Sequence, residues 1–219
     1  MAEVLIKLEK VSFSYFDDKE LLTDIDLVLF KNKKIGITGK NGSGKTTLLY
    51  LIVGLLKPKK GKIEIFGKLM EKEEDFKAAR KKMGFLFQNP DHQLFCPSVM
   101  EEITFGLLLR GEDKKNAKQK ALEFLEIFSL KEKADYPIYQ LSEGEKKRLA
   151  LAEILVLFPE ILILDEPTND LDEEGKEILI NFLKNPSLSA IIVSQEKSFL
   201  YSLCDGIYQL KEGKLNILH

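Results

Sequence analysis

The eight residues "GKNGSGKT", Gly39–Thr46, decide how the rest of the sequence is interpreted. They fit the pattern G-x-x-x-x-G-K-[ST], follow the predicted buried strand "KKIGITG" and open a predicted helix. Glycine permits backbone angles and close approaches that a Cβ atom would block. Backbone N–H groups at the start of a helix can then face a phosphate. A glycine-rich turn with a surface lysine is the alternative, but the strand–loop–helix order favours a phosphate-binding loop.

This loop supplies most of the candidate ligands of a nucleoside triphosphate and Mg²⁺. Lys45 is predicted to reach the terminal phosphates as a point charge, and the Thr46 hydroxyl to ligate Mg²⁺. The other loop residues that we expect around the nucleotide are Gly39, Asn41, Gly42, Ser43, Gly44 and Thr47.

A second candidate site lies downstream in "ILILDEP", an apolar strand that ends on Asp165 and Glu166. In open α/β sheets, ligands bind at the carboxyl ends of the strands. Asp165 is predicted to hold Mg²⁺ through water, and Glu166 to polarise an attacking water. A pair of exposed acids at a strand end is the common alternative, and the phosphate loop upstream makes it less plausible.

The composition indicates a soluble globular protein. Of its 219 residues, 44% are hydrophobic and 31% charged, and the net charge is −2. This balance gives no global attraction for nucleic acid or anionic lipid. Cys96 and Cys204 show no metal-type spacing and indicate a reduced, intracellular protein. Since no apolar run has the roughly 20 residues of a membrane span, we expect membrane association to come through a partner.

The order of predicted elements indicates an α/β sheet with a helical insertion. Strands alternate with helices on both sides of a helical region from about Val99 to Leu157, which is interrupted at Gly111, Pro137 and Ser142. The remaining predicted strands are 4–10 and 27–30, with a turn at Asp17–Asp18 between them, and those in "GKIEIFGK", "KMGFLFQ" and "LSAIIVSQ". The predicted helices are "KTTLLYLIVGLL", which ends at Lys57–Pro58, "EEGKEILINFLK" and the short "KSFLYSLC", and a hairpin turns at Glu212–Gly213.

Four further motifs, in the expected order, make the sequence resemble the ABC transporter ATPase family over essentially its whole length. They are Tyr15 in "VSFSYFDD", Gln88 in "GFLFQNP", the segment "LSEGEKKRLALAEIL" (141–155) and "TNDLD" (168–172). The resemblance implies that Tyr15 stacks on adenine and that Gln88 contacts Mg²⁺ and the attacking water. A core aromatic is the alternative for Tyr15. Ser142 and Gly144 would bind ATP from a signature segment at a helix N-terminus, and Asp172 would reach toward a dimer interface.

The resemblance also implies the architecture. We expect a P-loop NTPase (RecA-like) core with an N-terminal antiparallel β subdomain and a helical subdomain that carries the signature motif. A single ABC ATPase domain would span residues 1–219, with 1–90 and 158–219 forming the β subdomain and nucleotide-binding core and about 91–157 the helical subdomain. Two such domains would form a head-to-tail dimer, in which each ATP lies between the phosphate loop of one subunit and the signature segment of the other.

The stretch "QNPDHQLF", followed by an acidic helix and "FG", is most similar to ATPase subunits of energy-coupling factor and of cobalt or nickel importers. The resemblance implies uptake of a vitamin or metal ion at the cytoplasmic face of the cell membrane. The partners would be a transmembrane coupling subunit and a substrate-binding subunit, contacted near Gln88–Glu102. The printed sequence ends soon after the final hairpin, so we expect it to lack the C-terminal dimerisation segment of many such importers.

Three residues depart from the family pattern. Gln195, in "IIVSQEKSFL", occupies the position of the switch histidine that contacts the γ-phosphate, and an amide cannot carry the charge of an imidazolium. Glu143 and Glu145 replace a glycine and a glutamine of the usual signature. A carboxylate near a triphosphate is repulsive unless it is screened or turned away. We therefore expect attenuated hydrolysis, with Glu166, Gln195 and Gln88 as the catalytic residues, and a heterodimer with a second ABC ATPase.

Two other functions stay open. One is a mainly nucleotide-binding, regulatory ABC subunit with weak hydrolysis, for which Gln195 is the best support. The other is an ABC switch protein that acts on ribosomes or DNA. Switch proteins of that class tend to have tandem cassettes or a long coiled-coil insertion, and the sequence shows neither of these nor a basic surface for nucleic acid.

Overall fold

The computed structural model describes residues 3–16 and 20–218. Within these residues the chain forms two compact units. The first unit contains the residues up to Met83, Glu160–Glu166 and the residues from Asn185 onward. The second contains Gly84–Pro159 and Pro167–Lys184.

The described residues contain ten strands and seven α-helices. The strands are β1 (Val4–Phe13), β2 (Leu22–Phe30), β3 (Lys34–Thr38), β4 (Lys60–Ile65), β5 (Lys68–Leu69), β6 (Met83–Leu86), β7 (Ile161–Asp165), β8 (Ser189–Val193), β9 (Gly206–Lys211) and β10 (Lys214–Ile217). The helices are α1 (Lys45–Ile52), α2 (Glu73–Arg80), α3 (Val99–Leu109), α4 (Lys114–Ile127), α5 (Glu143–Leu155), α6 (Glu173–Leu183) and α7 (Lys197–Leu203). Among the described residues, no helix combines the length and the apolar character needed to cross a membrane.

One sheet is antiparallel, with the strand order β2-β1-β4-β5. Apolar and polar residues alternate along part of β1, and Ile6 is fully buried opposite Leu29 of β2. The strands predicted at 4–10 and 27–30 are present, and both are longer than predicted. The turn predicted at Asp17–Asp18 lies outside the described residues.

The other sheet is mixed and has the strand order β10-β9-β3-β8-β7-β6. β3 pairs in parallel with β8 and β9, and β7 pairs in parallel with β8. Every residue of β3, β7 and β8 is buried, as is typical of parallel strands. Since the carboxyl ends of parallel strands lie at the same edge, the segments that follow these three strands come together there.

Helix α1 follows β3 and buries most of its apolar side chains. The prediction that this helix extends to Lys57–Pro58 is wrong, because the helix ends at Ile52. Gly54 has a φ of 74°, and a Cβ atom at this position would lie 2.3 Å from the ring of Phe76. The chain therefore leaves the helix at a residue where only glycine meets both the backbone angle and the available space.

The second unit is helical, with a core that includes the fully buried side chains Ile103 of α3, Leu125 of α4 and Leu149 of α5. The interruptions predicted at Gly111 and Ser142 lie just after α3 and just before α5. The sequence did not predict the break after α4, where Ser129 adopts a φ of 54°.

Helix α6 also belongs to the second unit. The ring of Phe182 stacks on Phe124 and Phe128 of that unit, at centroid distances of 6.2 and 5.7 Å. This packing explains why Pro167–Lys184 groups with the helices although β7 groups with the sheets. The predicted division into 1–90 with 158–219 and about 91–157 stays a prediction about domain organisation.

Two carboxylates lie among these helices, one fully buried and one half-buried. Glu102 is fully buried, and its Oε2 accepts hydrogen bonds from the backbone N–H groups of Phe95 and Cys96 at 2.9 and 2.7 Å. Glu153 Oε2 accepts a hydrogen bond from Gln93 Nε2 at 2.8 Å. Burial raises the pKa of Glu153 to about 7, and the negative charge of Glu102 adds to the rise. The carboxyl of Glu153 therefore holds its proton up to nearly neutral pH.

Replacing Glu153 with glutamine is expected to stabilise the protein at alkaline pH. The pKa of Glu153 is about 7 in the folded protein and 4.5 ordinarily, so the unfolded chain releases this proton more readily. The free energy of unfolding therefore decreases as pH rises from about 4.5 to about 7. Glutamine keeps an oxygen that accepts from Gln93 and never ionises. The free energy of unfolding should rise by about 3 kcal/mol at pH 8 and by less than about 1 kcal/mol at pH 5.

Urea denaturation at the two pH values measures this difference. Glu126→Gln is the matched control, since the Glu126 side chain is 67% exposed. An equal gain at pH 5 and pH 8 would contradict the assignment to Glu153 ionisation.

Candidate functional site

The phosphate loop joins the end of β3 to the start of α1 in the first unit, and its glycines are required for two different reasons. A Cβ atom on Gly39 would lie 2.6 Å from the carbonyl oxygen of Leu210 and 2.8 Å from Ser43 Oγ. Gly42 and Gly44 have φ angles of 75° and 99°, and residues other than glycine rarely adopt such angles. Ser43 Oγ is buried and has no hydrogen-bond partner among the described residues. This hydroxyl can therefore donate a hydrogen bond to a polar group that binds in the loop.

Lys45 begins α1 and is buried, with 7% of its side chain exposed. Its Nζ donates hydrogen bonds to the carbonyl oxygens of Gly39 at 2.9 Å and Lys40 at 3.3 Å. The same Nζ lies 3.8 Å from Glu166 Oε1. The ammonium group is thus held inside the curve of the loop and close to a carboxylate.

Thr46 and Asp165 meet although they lie 119 residues apart in the sequence. Thr46 Oγ1 donates a hydrogen bond to Asp165 Oδ2 at 2.7 Å, and Asp165 is almost fully buried at the end of β7. Hard oxygen ligands of this kind suit Mg²⁺, which keeps several waters and needs few protein ligands. The described residues contain no group of three or more His, Cys, Asp or Glu side chains placed to hold a metal. Among the described residues, the candidate magnesium ligands at this point are thus one carboxylate and one hydroxyl.

Glu166 lies directly after β7 with a φ of 46°, an unusual angle for a glutamate. Its backbone N–H donates to the carbonyl of Val193 at 2.9 Å, and its Oε2 accepts from the backbone N–H of Gln195 at 3.2 Å. Burial raises the pKa of Glu166, while the Gln195 N–H group and the charge of Lys45 oppose the rise. A carboxylate with a raised pKa at the edge of a site is suited to accept a proton.

Gln195 follows β8 and is exposed. Its side-chain Nε2 donates to Asn41 Oδ1 at 2.8 Å, across 154 residues of sequence. The structure therefore brings together two residues that the sequence analysis named separately, Asn41 from the loop after β3 and Gln195 from the end of β8. This hydrogen bond connects the end of β8 to the loop between β3 and α1.

Tyr15 is 56% exposed, and its ring meets that of Phe13 edge-on at 5.0 Å. Its hydroxyl lies 3.0 Å from Thr47 Oγ1. Tyr15 is therefore not a core aromatic. It forms one face of a cavity of about 700 Å³. The cavity is lined by Tyr15, Phe16, Glu20, Leu21, Gly42, Ser43, Glu212 and Gly213. Of these, Phe16, Glu20, Leu21, Glu212 and Gly213 were not expected from the sequence, which carries no motif for them.

The other predicted site residues, Gln88, Ser142 and Gly144, lie in the second unit. Gln88 is exposed just after β6. Ser142 caps α5, and its Oγ accepts from the Glu145 N–H at 3.4 Å. A Cβ atom on Gly144 would lie 3.0 Å from the carbonyl oxygen of Asp170, so a larger residue would be crowded.

The two extra carboxylates of the signature segment are both paired. Glu145 Oε2 accepts from the backbone N–H of Ser142 at 2.9 Å, and Glu145 Oε1 pairs with Lys133. The hydrogen bond from Lys133 is the main reason why the pKa of Glu145 is lowered. The side chain of Glu143 is 61% exposed and lies 3.0 Å from Lys146 Nζ. Nearby ammonium groups therefore screen both charges.

Asp172 caps α6, and its Oδ1 accepts a hydrogen bond from the Gly175 N–H at 2.9 Å. The buried guanidinium of Arg148, on α5, lies 3.8 Å from Asp172 Oδ2 and 3.1 Å from Glu174 Oε2. Arg148 therefore connects α5 to the start of α6, at the segment predicted to reach a dimer interface.

Several known proteins resemble this chain in sequence and in fold. The profile of the ABC transporter family matches residues 22–169. The chain is 38% identical over 223 residues to an energy-coupling factor transporter ATP-binding protein, EcfA2, from Caldanaerobacter subterraneus, covering 97% of this chain and 78% of that protein.

Two solved structures are similar as well. The structure of cbiO1 from Clostridium perfringens, part of the ABC transporter complex cbiONQ, has a TM-score of 0.83 and 30% identity, covering 97% of this chain and 87% of that one. A dimeric post-hydrolysis state of the ATP-binding cassette MJ0796, bound to ADP and Pi, has a TM-score of 0.87 and 25% identity, covering 96% of each chain. The α/β fold with its antiparallel β subdomain is thus the P-loop NTPase fold of such cassettes. The chain therefore belongs to the ABC transporter family, as an ATP-binding ATPase subunit related to those of energy-coupling factor and cbiO transporters.

Proposed function

We propose that the chain is the ATP-hydrolysing motor subunit of an importer of the energy-coupling factor type, which takes up a vitamin or a metal ion. The names of the EcfA2 relative and of the cbiONQ complex support this importer type. The segment "QNPDHQLF" supports it from the sequence. Both units would act as one ATPase domain on the cytoplasmic face of the cell membrane. The membrane partners would hold it there, and nucleic acid plays no part.

The observation that carries the proposal is the cluster at the carboxyl ends of β3, β7 and β8. A buried lysine, a hydroxyl–carboxylate pair and a carboxylate of raised pKa converge there from the segments after β3 and β7. The N–H group of Gln195, after β8, donates a hydrogen bond to the same carboxylate. We assign Lys45 to the terminal phosphates and Tyr15 to the adenine ring. The loop residues Gly39, Asn41, Gly42, Ser43, Gly44, Lys45, Thr46 and Thr47 would surround the phosphates.

Hydrolysis requires an attacking water to lose a proton, and Glu166 is the proposed acceptor. Gln195 would act beside it, with its amide oriented by Asn41. Gln88 is the third proposed catalytic residue. When bound, Mg²⁺ neutralises charge on the phosphate oxygens. Thr46, Asp165 and Gln88 are the residues proposed to hold it.

We also propose that the chain works in a head-to-tail dimer with a second, unlike ABC ATPase. Ser142 and Gly144 would contribute to the partner's site. The MJ0796 cassette, whose structure is dimeric, supports a dimer. Gln195 supports a heterodimer, because a homodimer would carry this departure in both sites. Glu143 and Glu145 add little to this argument, since Lys146 and Lys133 screen their charges. The membrane-embedded coupling and substrate-binding subunits would contact the region Gln88–Glu102.

A regulatory subunit with weak hydrolysis is the second candidate function. The contact between Gln195 and Asn41 favours it, because the amide is already engaged with the loop and carries no charge for the phosphate.

Isolation of the tagged chain from its native membrane, followed by identification of what accompanies it, tests the proposal. We expect a second ABC ATPase and at least one membrane protein. The pure chain should bind MgATP and hydrolyse it much more slowly than the isolated complex. A pure chain as active as the complex would contradict the heterodimer. Isolation without any membrane protein would contradict the transport function.

Replacing Gln195 with histidine is expected to raise the hydrolysis rate of the pure chain. An imidazole can donate a charged hydrogen bond to a phosphate, and such bonds are stronger than neutral ones. The expected gain is roughly tenfold in kcat. Steady-state phosphate release measures it, and Gln195→His combined with Glu166→Gln is the control that should stay inactive. An unchanged kcat with unchanged MgATP affinity would refute the attenuating role of Gln195.

A further inference from the structure

Helix α5 holds the segment that contains Gln88 through a buried lysine. Lys147 is fully buried. Its Nζ donates hydrogen bonds to the carbonyl oxygens of Phe87 at 3.1 Å and Gln88 at 2.8 Å. Lys147 lies five residues after Ser142, the cap of the same helix. A single side chain therefore connects the helix of the signature segment to the backbone of Gln88.

A second attachment lies one helical turn further along α5. Gln93 Nε2 donates to the carbonyl oxygen of Ala150 at 2.9 Å and to Glu153 Oε2 at 2.8 Å. Gln93 Oε1 accepts from the N–H group of Phe87 at 3.4 Å. Lys147, Ala150 and Glu153 are spaced three residues apart, which places them along one side of a helix. The segment from Phe87 to Gln93 is thus fastened to α5 at both ends.

A salt bridge adds a third contact nearer the solvent, where Lys146 Nζ lies 2.9 Å from Asp91 Oδ1. The Asp91 side chain is 54% exposed, and ion pairs that are open to water contribute little. The buried contacts matter more, since a desolvated ammonium group must keep its hydrogen-bond acceptors. Any movement of the Gln88 backbone away from α5 would separate the Lys147 ammonium from two of its acceptors.

We propose that Lys147 is a positioning residue that fixes the backbone of Gln88 to α5, so that Gln88 and the signature segment move together. The proposal rests on the proposed function, in which Gln88 acts at the chain's own site and Ser142 at the partner's site. Lys147 itself would touch neither ATP nor Mg²⁺. Its effect on hydrolysis would pass through the position of Gln88.

Hydrogen exchange of the pure chain tests the mechanical part and needs no hydrolysis. Methionine has a similar length and no donor, so Lys147→Met removes the contacts with little change in volume. We expect about tenfold faster exchange of the amides in 87–93. Lys34→Met is the matched control, because Lys34 is also buried and its Nζ donates to a backbone carbonyl, that of Asn185 at 3.0 Å. Exchange in 87–93 that is unchanged by Lys147→Met would overturn the proposal.

Kinetics tests the functional part. Lys147→Met should lower kcat about tenfold and leave the KM for ATP within about twofold, because the phosphate loop is untouched. If Lys147 acts through Gln88, the double variant Lys147→Met with Gln88→Ala should be no slower than Gln88→Ala alone. Additive losses would contradict that route. If Gln88→Ala leaves kcat unchanged, the proposed role of Gln88 fails, whereas the exchange result still decides whether Lys147 fixes the segment.

Lys147→Gln keeps a hydrogen-bond donor. It therefore distinguishes the loss of the Lys147 hydrogen bonds from a general loss of folding. We expect it to restore part of kcat and part of the exchange protection in 87–93. Should Lys147→Met and Lys147→Gln have equal kcat and equal exchange, the hydrogen bonds of Lys147 do not position Gln88.

Discussion

Replacing Glu166 with glutamine is expected to lower the rate of ATP hydrolysis by roughly 100- to 10,000-fold, the usual contribution of a positioned base. The carboxylate lies 3.8 Å from Lys45 Nζ and accepts a hydrogen bond from the Gln195 N–H group. Glutamine has the same shape and keeps an oxygen for that N–H, but it cannot accept a proton from water. ATP binding should therefore persist while turnover is lost.

The pH dependence gives a second measurement of the same role. Burial raises the pKa of Glu166 above its ordinary value of 4.5. A base acts in its ionised form, so the rate should fall as pH drops through this raised pKa. The fall should begin at a higher pH than for an exposed glutamate.

Phosphate release and isothermal calorimetry, performed in parallel, separate turnover from binding. Glu160→Gln is the matched control, since this exposed glutamate precedes the same strand and pairs with Lys82. Hydrolysis by Glu166→Gln at more than about one tenth of the original rate would rule out Glu166 as the base.

Replacing Lys45 with methionine is expected to weaken MgATP binding by roughly 100-fold. Lys45 is buried in the loop with its ammonium group against the carbonyls of Gly39 and Lys40. Methionine fills a similar volume but supplies neither the charge nor the donors for a phosphate. Hydrolysis should be lost at ordinary ATP concentrations because the nucleotide is no longer held.

Calorimetry with MgATP measures the loss in affinity. Lys40→Met is the control, since Lys40 is in the same loop but its side chain is exposed. Thermal unfolding shows whether the Lys45 variant keeps its fold. A folded Lys45→Met variant that binds MgATP within about threefold of the original affinity would remove the basis for assigning the loop to phosphate.

Elements with a strong apolar pattern were predicted well. The strands β3, β7 and β8, the helix α6 and the hairpin of β9 and β10 lie where the sequence places them. Helix α2, in contrast, was missed. Five of its eight residues are charged and only Phe76 and Ala79 are buried, so its apolar pattern is weak. The end of α1 was placed too late, because Gly54 lies inside an apolar run that otherwise reads as helix.

The candidate site could be predicted where its residues are neighbours in the sequence. The loop from Gly39 to Thr47 needed no other segment. The partner of Asn41 could not be predicted, because Gln195 reaches it only through the pairing of β3 with β8. The contact of Lys147 with Phe87 and Gln88 carries no sequence signal either, since a lysine on a helix usually faces solvent.

The sequence alone determined the local chemistry of this protein: a loop that can bind phosphate, and buried strands that end in acids or in Gln195. These features depend on the conformations that each residue allows and on runs of apolar side chains, and both are local. The tertiary structure decided which residues meet, such as Thr46 with Asp165 across 119 residues and Gln195 with Asn41 across 154. The order and register of the parallel strands set these pairs, and strand order is a property of the folded sheet.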